Sequence, residues 1–342
     1  MRSGNVASRA SLEPVLQQRS DPKQLLVDGA LELWELPRGA AATLINISEN
    51  HTYRVDVPQG PSTILRVHRS GYRSQDEIAG ELAWTKALRE SGALRTPSTI
   101  PGIDGQEIQL VRDPTAQKTV QLVMFEFVDG EHPDDSQDIH ALFGALGGLA
   151  ARAHNHSANW RPPVGFTRPS WNLDAVFGSD APWGNWRSAP NVDFVIEQVL
   201  ERAESTVIDR LKRLGAATGH FGLIHADMRL ANLLVEDGQV VLIDFDDCGH
   251  GWHLFDFAAA VSFMECDAQV SELFEAWANA YRKERELGEE MALEWQTFVM
   301  MRRLSLLAWV GSRRESTEPQ QLAGSFATDT ASLAEGYLSE MG

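Results

Sequence analysis

Three oxygen-bearing side chains, Asp227, Asn232 and Asp244, lie close together in GLIHADMRLANLLVEDGQVVLIDFDD, residues 222–247. Two short β-type runs, LLVED and QVVLIDF, flank Gly238 as a hairpin, so the carboxylates fall on loops at strand ends. This set suits phosphoryl transfer, which needs little covalent help from protein. It needs a carboxylate to orient the attacking hydroxyl and accept its proton, which Asp227 fits. It also needs hard oxygen ligands that hold Mg²⁺ on the phosphates, which Asn232 and Asp244 supply. His225, Asp246, Asp247, His250 and His253 make the region dense in metal-ligating types, so metal-dependent hydrolysis is a second reading. That reading lacks a compact two-metal spacing and leaves the N-terminal third of the chain without a role.

The elements that must position these groups come in two kinds. Asp21-Pro22 opens a helix, with Asp21 as N-cap, and Leu25, Leu26, Ala30, Leu33 and Trp34 form its apolar face. From Ala42 to Arg69 the pattern becomes β-type, as TLINIS, HTYRVDV and STILRVHR, with a Pro58–Pro61 turn between the last two. Residues 75–91 return to helical spacing and end at Gly92 and Pro97. EIQLVRD and TVQLVMFEFV then give two more strands. Beyond Val128-Asp129-Gly130 the chain reads as helices over 139–156, 192–214, 267–287, 290–313 and 322–340. A Trp-, Pro-, Asn- and Gly-rich loop spans 157–190. The expected fold class is α+β: residues 1–20 a flexible tail, 21–126 an antiparallel N-lobe carrying one helix, 127–342 a mostly helical C-lobe.

The H-x-D-x-x-x-x-N pattern at His225–Asn232, followed by Ile243-Asp244-Phe245-Asp246, resembles the catalytic and metal-binding loops of the protein-kinase-like fold. In detail it looks like the aminoglycoside phosphotransferase, choline kinase and homoserine kinase branch. There a small residue, here Ala226, replaces the Arg of H-R-D, and Asp246 stands where protein kinases have the Gly of D-F-G. The resemblance implies Asp227 as catalytic base, Asn232 and Asp244 as metal ligands, His225 as a brace, and Asp256 as a group that hydrogen-bonds the loop from below. ATP and Mg²⁺ are the implied cofactors.

The same resemblance assigns parts to the N-lobe. Arg66, in STILRVHR, stands where the family places a phosphate-binding Lys, an exchange that is not neutral because the guanidinium is a bulkier fork. Glu81 is its expected partner, by order along the chain and by the Leu82-Ala83-Trp84 that follows. Ser48 and Asn50 occupy the place of the phosphate-covering loop, in a version poor in glycine. Glu126 and Val128 resemble the hinge whose backbone hydrogen-bonds adenine.

Net charge of −18 and the lack of a Lys/Arg cluster argue against nucleic acid as a partner. No apolar run is long enough to span a bilayer, the N-terminus has no export-type core, and two cysteines give no disulfide framework, so a cytoplasmic location is expected. Oligomeric state is not legible. MMRRLSLLAWVGSRR, residues 300–314, together with GGLAARAH and LLVDGALELW, looks like the RdoA-type stress-response kinases, which implies a protein Ser/Thr acceptor as the alternative. The run from Asp246 to Asp256 is short and leaves little platform for a peptide, so a small-molecule hydroxyl is the expected acceptor. Its amine-bearing form would suit Asp246, Asp247, Glu265, Asp267 and the aromatic faces of 157–190. A nucleotide-binding pseudokinase scaffold, motivated by Arg66, is the third reading.

Overall fold

The computed structural model describes residues 22–113, 115–133, 138–217, 219–236 and 238–342. The expected flexible tail and the Asp21 cap lie outside the described residues. By contacts the chain divides into two units. The first holds the described residues through Gln75 together with Pro97–Phe127, and the second holds Asp76–Thr96 together with Val128–Gly342.

In the first unit, helix α1 (Pro22–Ala30) precedes strands β1 (Ala41–Ile47), β2 (His51–Asp56), β3 (Thr63–Val67), β4 (Thr99–Ile100), β5 (Ile108–Arg112) and β6 (Thr119–Glu126). They form one antiparallel sheet in the order β1-β2-β3-β6-β4, with β5 also paired to β6. Period-two alternation explains its inner face: Tyr53 and Val55 of β2 are buried while Arg54 and Asp56 are exposed. Val27, Ala30 and Trp34 close the core over Tyr53, Val55, Leu65, Leu122 and Met124. The Trp34 indole N–H is satisfied by the Ile100 carbonyl at 2.9 Å.

The second unit starts with helix α2 (Gln75–Glu90), which the sequence assigns to the N-lobe. Here residues 76–96 cluster instead with the helical part, because specific contacts hold them there. Gly80 runs so close to the Thr167 carbonyl that a Cβ would sit 2.3 Å from it. Arg168 donates to the Glu77 carbonyl at 2.6 Å, and Trp84 packs edge-on against Phe245 at 5.8 Å.

The long helices follow: α3 (Ile139–Asn159), then β7 (Ser170–Trp171), α4 (Leu173–Phe177) and α5 (Phe194–Leu214). Next come β8 (Phe221–Ile224), the antiparallel hairpin β9 (Leu233–Glu236) and β10 (Gln239–Leu242), and β11 (Gly249–Trp252). The chain ends with α6 (Phe255–Ala260), α7 (Val270–Glu284), α8 (Glu289–Ala292), α9 (Trp295–Ser312), α10 (Thr317–Leu322) and α11 (Phe326–Met341). The single helix expected over 290–313 is thus two, broken at Leu293–Glu294, and α10 was not foreseen. Helix α9 is buried almost all round, its core made by Phe298, Met301, Leu304 and Leu307. Against that apolar surround, Arg302 and Arg303 are only 2% and 3% exposed.

Candidate active site

Strand β8 delivers the chain into the loop that carries Asp227, and the turn there is tight. Ala226 sits at φ +65°, a left-handed conformation that costs an alanine free energy and persists only when its surroundings enforce it. Asp256, fully buried in the first turn of α6, is that enforcement. Its Oδ2 accepts the His225 amide at 3.1 Å and its Oδ1 accepts the Ala226 amide at 2.6 Å. Its Oδ2 also lies 3.0 Å from His154 Nε2, whose other nitrogen meets the Tyr281 hydroxyl at 3.0 Å. Burial pushes the Asp256 carboxyl up to about 6, the two loop amides and His225 pulling against it. The loop-bracing role expected of Asp256 is visible in these bonds.

His225 is buried and braces rather than reacts. Its Nδ1 accepts the Asp227 amide at 3.2 Å, which leaves Nε2 to donate to the Ile243 carbonyl at 3.1 Å. Desolvation holds its pKa below the ordinary value, so the ring is neutral. Ile243 in turn donates its amide to the Asn232 carbonyl at 3.0 Å. These two bonds bring Asp244, itself at φ +61°, beside the Asn232 turn. Arg168 fixes the following residues, donating to the Cys248 carbonyl at 2.7 Å and to the Asp246 carbonyl. Trp171 donates to the Asp247 carbonyl at 2.7 Å.

Asp227 is gripped from two sides. Asn232 Nδ2 donates to its Oδ2 at 2.7 Å and to its backbone carbonyl at 2.9 Å, and Arg229 Nε stands 3.4 Å from Oδ2. On the other side Arg302 Nη2 donates to Oδ1 at 2.6 Å. Burial raises the carboxyl, but the Arg229 and Arg302 charges outweigh it and hold the pKa below the usual carboxylate value. Because Nδ2 of Asn232 is committed to Asp227, its amide oxygen is turned to other partners. Asn232 and Asp244 therefore offer the oxygen pair that could hold a divalent cation, which takes its remaining ligands from phosphates and water. Among the described residues no three His, Cys, Asp or Glu side chains form a metal-binding group.

Arg302 and Arg168 escaped the sequence reading. The signal for the first was present: a charged pair inside the apolar MMRRLSLLAWVG run, where a buried cation must find a carboxylate. Two of the aromatic faces expected for a substrate cation turn out to serve the protein's own arginines. Trp183 lies 5.1 Å from the Arg302 guanidinium, and Trp186 lies 4.2 Å from that of Arg187. Two of the expected acidic contributors are also engaged. Glu265 pairs with Arg303 at 2.7 Å, and Asp267 accepts the Gln269 amide at 3.0 Å.

In the sheet unit, Arg66 on β3 is 9% exposed, its guanidinium 4.9 Å from the Phe125 ring. Ser48 and Asn50 form the β1–β2 turn. Ser48 donates its amide to the Asn50 carbonyl at 3.0 Å, and the buried Asn50 side chain accepts the Arg69 amide at 3.1 Å. Glu126 ends β6 with its amide bonded to the Ser98 carbonyl at 2.9 Å. In the helical unit, Glu81 is a buried residue of α2 and Val128 is half-buried just past β6.

The model of the phosphotransferase enzyme family matches residues 42–292, well over half of the chain. The chain belongs to this family. A solved microcompartment-associated aminopropanol kinase is 39% identical, with a TM-score of 0.86 over 93% of this chain and 98% of that one. An amicoumacin kinase solved with AMP-PNP, Ca²⁺ and Ami is 20% identical, with a TM-score of 0.73 over 94% of this chain and 96% of that one. The amicoumacin kinase of Bacillus subtilis (strain 168) is 23% identical over 75% of this chain and 76% of its own. The phosphotransferase thus has the kinase-like fold expected of it. It is an enzyme that moves phosphate from ATP to a hydroxyl of a small molecule: transfer rather than hydrolysis. No helix among the described residues is long and apolar enough to cross a membrane.

Proposed function

We propose that this phosphotransferase carries the γ-phosphate of ATP to the hydroxyl of a small amine-bearing alcohol, with Mg²⁺ as the divalent cation, in the cytoplasm. The observation that carries the acceptor class is the 39% identity, over nearly the whole chain, to an aminopropanol kinase. A net charge of −18 supports it, since such a surface draws in a cationic substrate.

Asp227 orients the acceptor hydroxyl and takes its proton as the phosphoryl group is transferred. Its carboxylate stays ionised between Arg229 and Arg302, which favours orientation over strong basicity. Asn232 and Asp244 are the residues that would hold Mg²⁺, which when bound neutralises charge on the phosphate oxygens. Arg66 supplies a fixed cation for the phosphates, and Glu81 is the acid assigned with it. Ser48 and Asn50 are assigned to the phosphates, Asn50 through Nδ2 because its Oδ1 is engaged. Glu126 and Val128 are assigned to adenine through their backbone, at Glu126 through the carbonyl because its amide is already bonded.

The test is ATP consumption by wild type and Asp227→Asn, with 1-amino-2-propanol, ethanolamine, choline, propane-1,2-diol, glycerol and a generic protein substrate. The amino alcohols should lead, and Asp227→Asn should be nearly inactive on all of them. A neutral diol that outruns every amine would sink the amine-bearing acceptor while leaving phosphotransfer intact.

A further inference from the structure

The polar surroundings of Asp227 include one group that comes from far along the chain and never meets solvent. Arg302, on the middle turns of α9, is 2% exposed. Its Nη2 donates to Asp227 Oδ1 at 2.6 Å and its Nε donates to Ser262 Oγ at 3.1 Å. The guanidinium plane is walled by Trp183 at 5.1 Å and Phe255 at 5.8 Å. Nη1 is buried and has no hydrogen-bond partner among the described residues. A buried guanidinium loses several kcal/mol of hydration, and an unsatisfied N–H adds to that cost. Stability alone would be served as well by an apolar side chain here, so the charge calls for another explanation.

We propose that Arg302 is a positioning residue for phosphoryl transfer, fixing the Asp227 carboxylate in its reactive rotamer from the side opposite Asn232. This inference rests on Asp227 being the group that receives the acceptor proton. A carboxylate on a loop has two rotatable side-chain bonds. Asn232, bonded to Oδ2 at 2.7 Å, and Arg229, 3.4 Å from the same oxygen, hold one end only and would let the group swing about it. The second bond, from a helix anchored by its own apolar packing, removes the swing. Positioning of this kind is worth much in rate, since a misplacement of about 1 Å costs on the order of 10²-fold. Arg302 acts through Asp227 and not on substrate, because its own atoms are covered. Arg303, the next residue, makes the contrast: equally buried, it pairs with Glu265 and Thr330 and, among the described residues, has no bond to the catalytic loop.

The experiment is a double-mutant cycle between Asp227→Asn and Arg302→Met, with Arg302→Lys, Ser262→Ala and Arg303→Met beside it. The assay is steady-state ATP turnover with 1-amino-2-propanol. Arg302→Met should lower kcat about 10²-fold, while KM for ATP and for the amino alcohol stays within about twofold. Arg302→Lys should recover part of that loss. In the Asp227→Asn background, Arg302→Met should add nothing further. Arg303→Met should reduce thermal stability without a selective fall in kcat. Should Arg302→Met not fold, Ser262→Ala removes the other anchor of the guanidinium and is expected to lower kcat several-fold at unchanged KM. Additive losses in the cycle, or equal kcat in Arg302→Met and wild type, would overturn the inference. An active Asp227→Asn would instead overturn the reading on which it stands, so the two failures are distinct.

Discussion

Asp227, the proposed acceptor of the substrate proton, is also the counter-charge of a buried arginine, so its replacement does two things at once. Asp227→Asn keeps an oxygen for Arg302 Nη2 but removes the charge facing it. Turnover should fall roughly 10³-fold, the scale on which general-base groups contribute. The fold should persist with a stability lowered by about 1–3 kcal/mol, measured by urea denaturation, because the partner charge is left uncompensated. The carboxyl keeps some solvent contact, its side chain being 16% exposed, which holds the cost below that of a fully enclosed pair. Arg66 behaves differently. On the phosphate-binding role proposed for Arg66, a Lys there keeps the cation, so Arg66→Lys should retain activity. Arg66→Ala should raise KM for ATP about 10- to 100-fold, the range of a lost charged hydrogen bond.

At the scale of elements, the site depends on how α6, α3 and α7 hold one loop. Asp256, His154 and Tyr281 form a buried chain from α7 through α3 and α6 to the amides of His225 and Ala226. The carboxyl of Asp256 is pushed up to about 6 from an ordinary 3.8. Its neutral form is therefore the one the folded state favours. The stability this confers is complete below 3.8 and is lost as pH rises through about 6. Asp256→Asn removes the titration, so wild type should lose stability relative to that variant between pH 4 and 7, by about 3 kcal/mol. Urea melts at several pH values read this directly, and a difference flat with pH would contradict it. Packing is as demanding here. Gly147 of α3 lies where a Cβ would fall 2.1 Å from the Trp277 carbonyl, so Gly-rich α3 meets α7 backbone to backbone.

At the scale of the whole molecule, a net charge of −18 makes encounter with a cationic acceptor sensitive to salt. Raising ionic strength from about 0.02 to 0.5 M should lower kcat/KM for 1-amino-2-propanol several-fold and leave that for a neutral diol nearly unchanged. Equal salt responses would remove electrostatic attraction as a cause. Much of this enzyme was legible in its sequence. The loops bearing Asp227, Asn232 and Asp244 are marked by residue type and spacing, and the β2–β3 and β9–β10 hairpins by alternation and turn residues. Helix α2 shows where that reading stops. Its period gave its length, but its grouping with the helical unit depends on Gly80 against Thr167 and on Arg168, contacts between distant residues that no local pattern encodes. The Arg302–Asp227 bond is the same kind of fact: each residue is plain alone, and only the fold pairs them.

That bond also sets a schedule. Arg302 follows Asp227 by 75 positions, and at about 5–20 residues per second the ribosome needs roughly 4–15 s to make that stretch. Through that interval the nascent chain owns the loop without the helix that steadies it. If Arg302 positions Asp227 as proposed, full turnover in this phosphotransferase is therefore a late event in its synthesis, reached when α9 has emerged and packed.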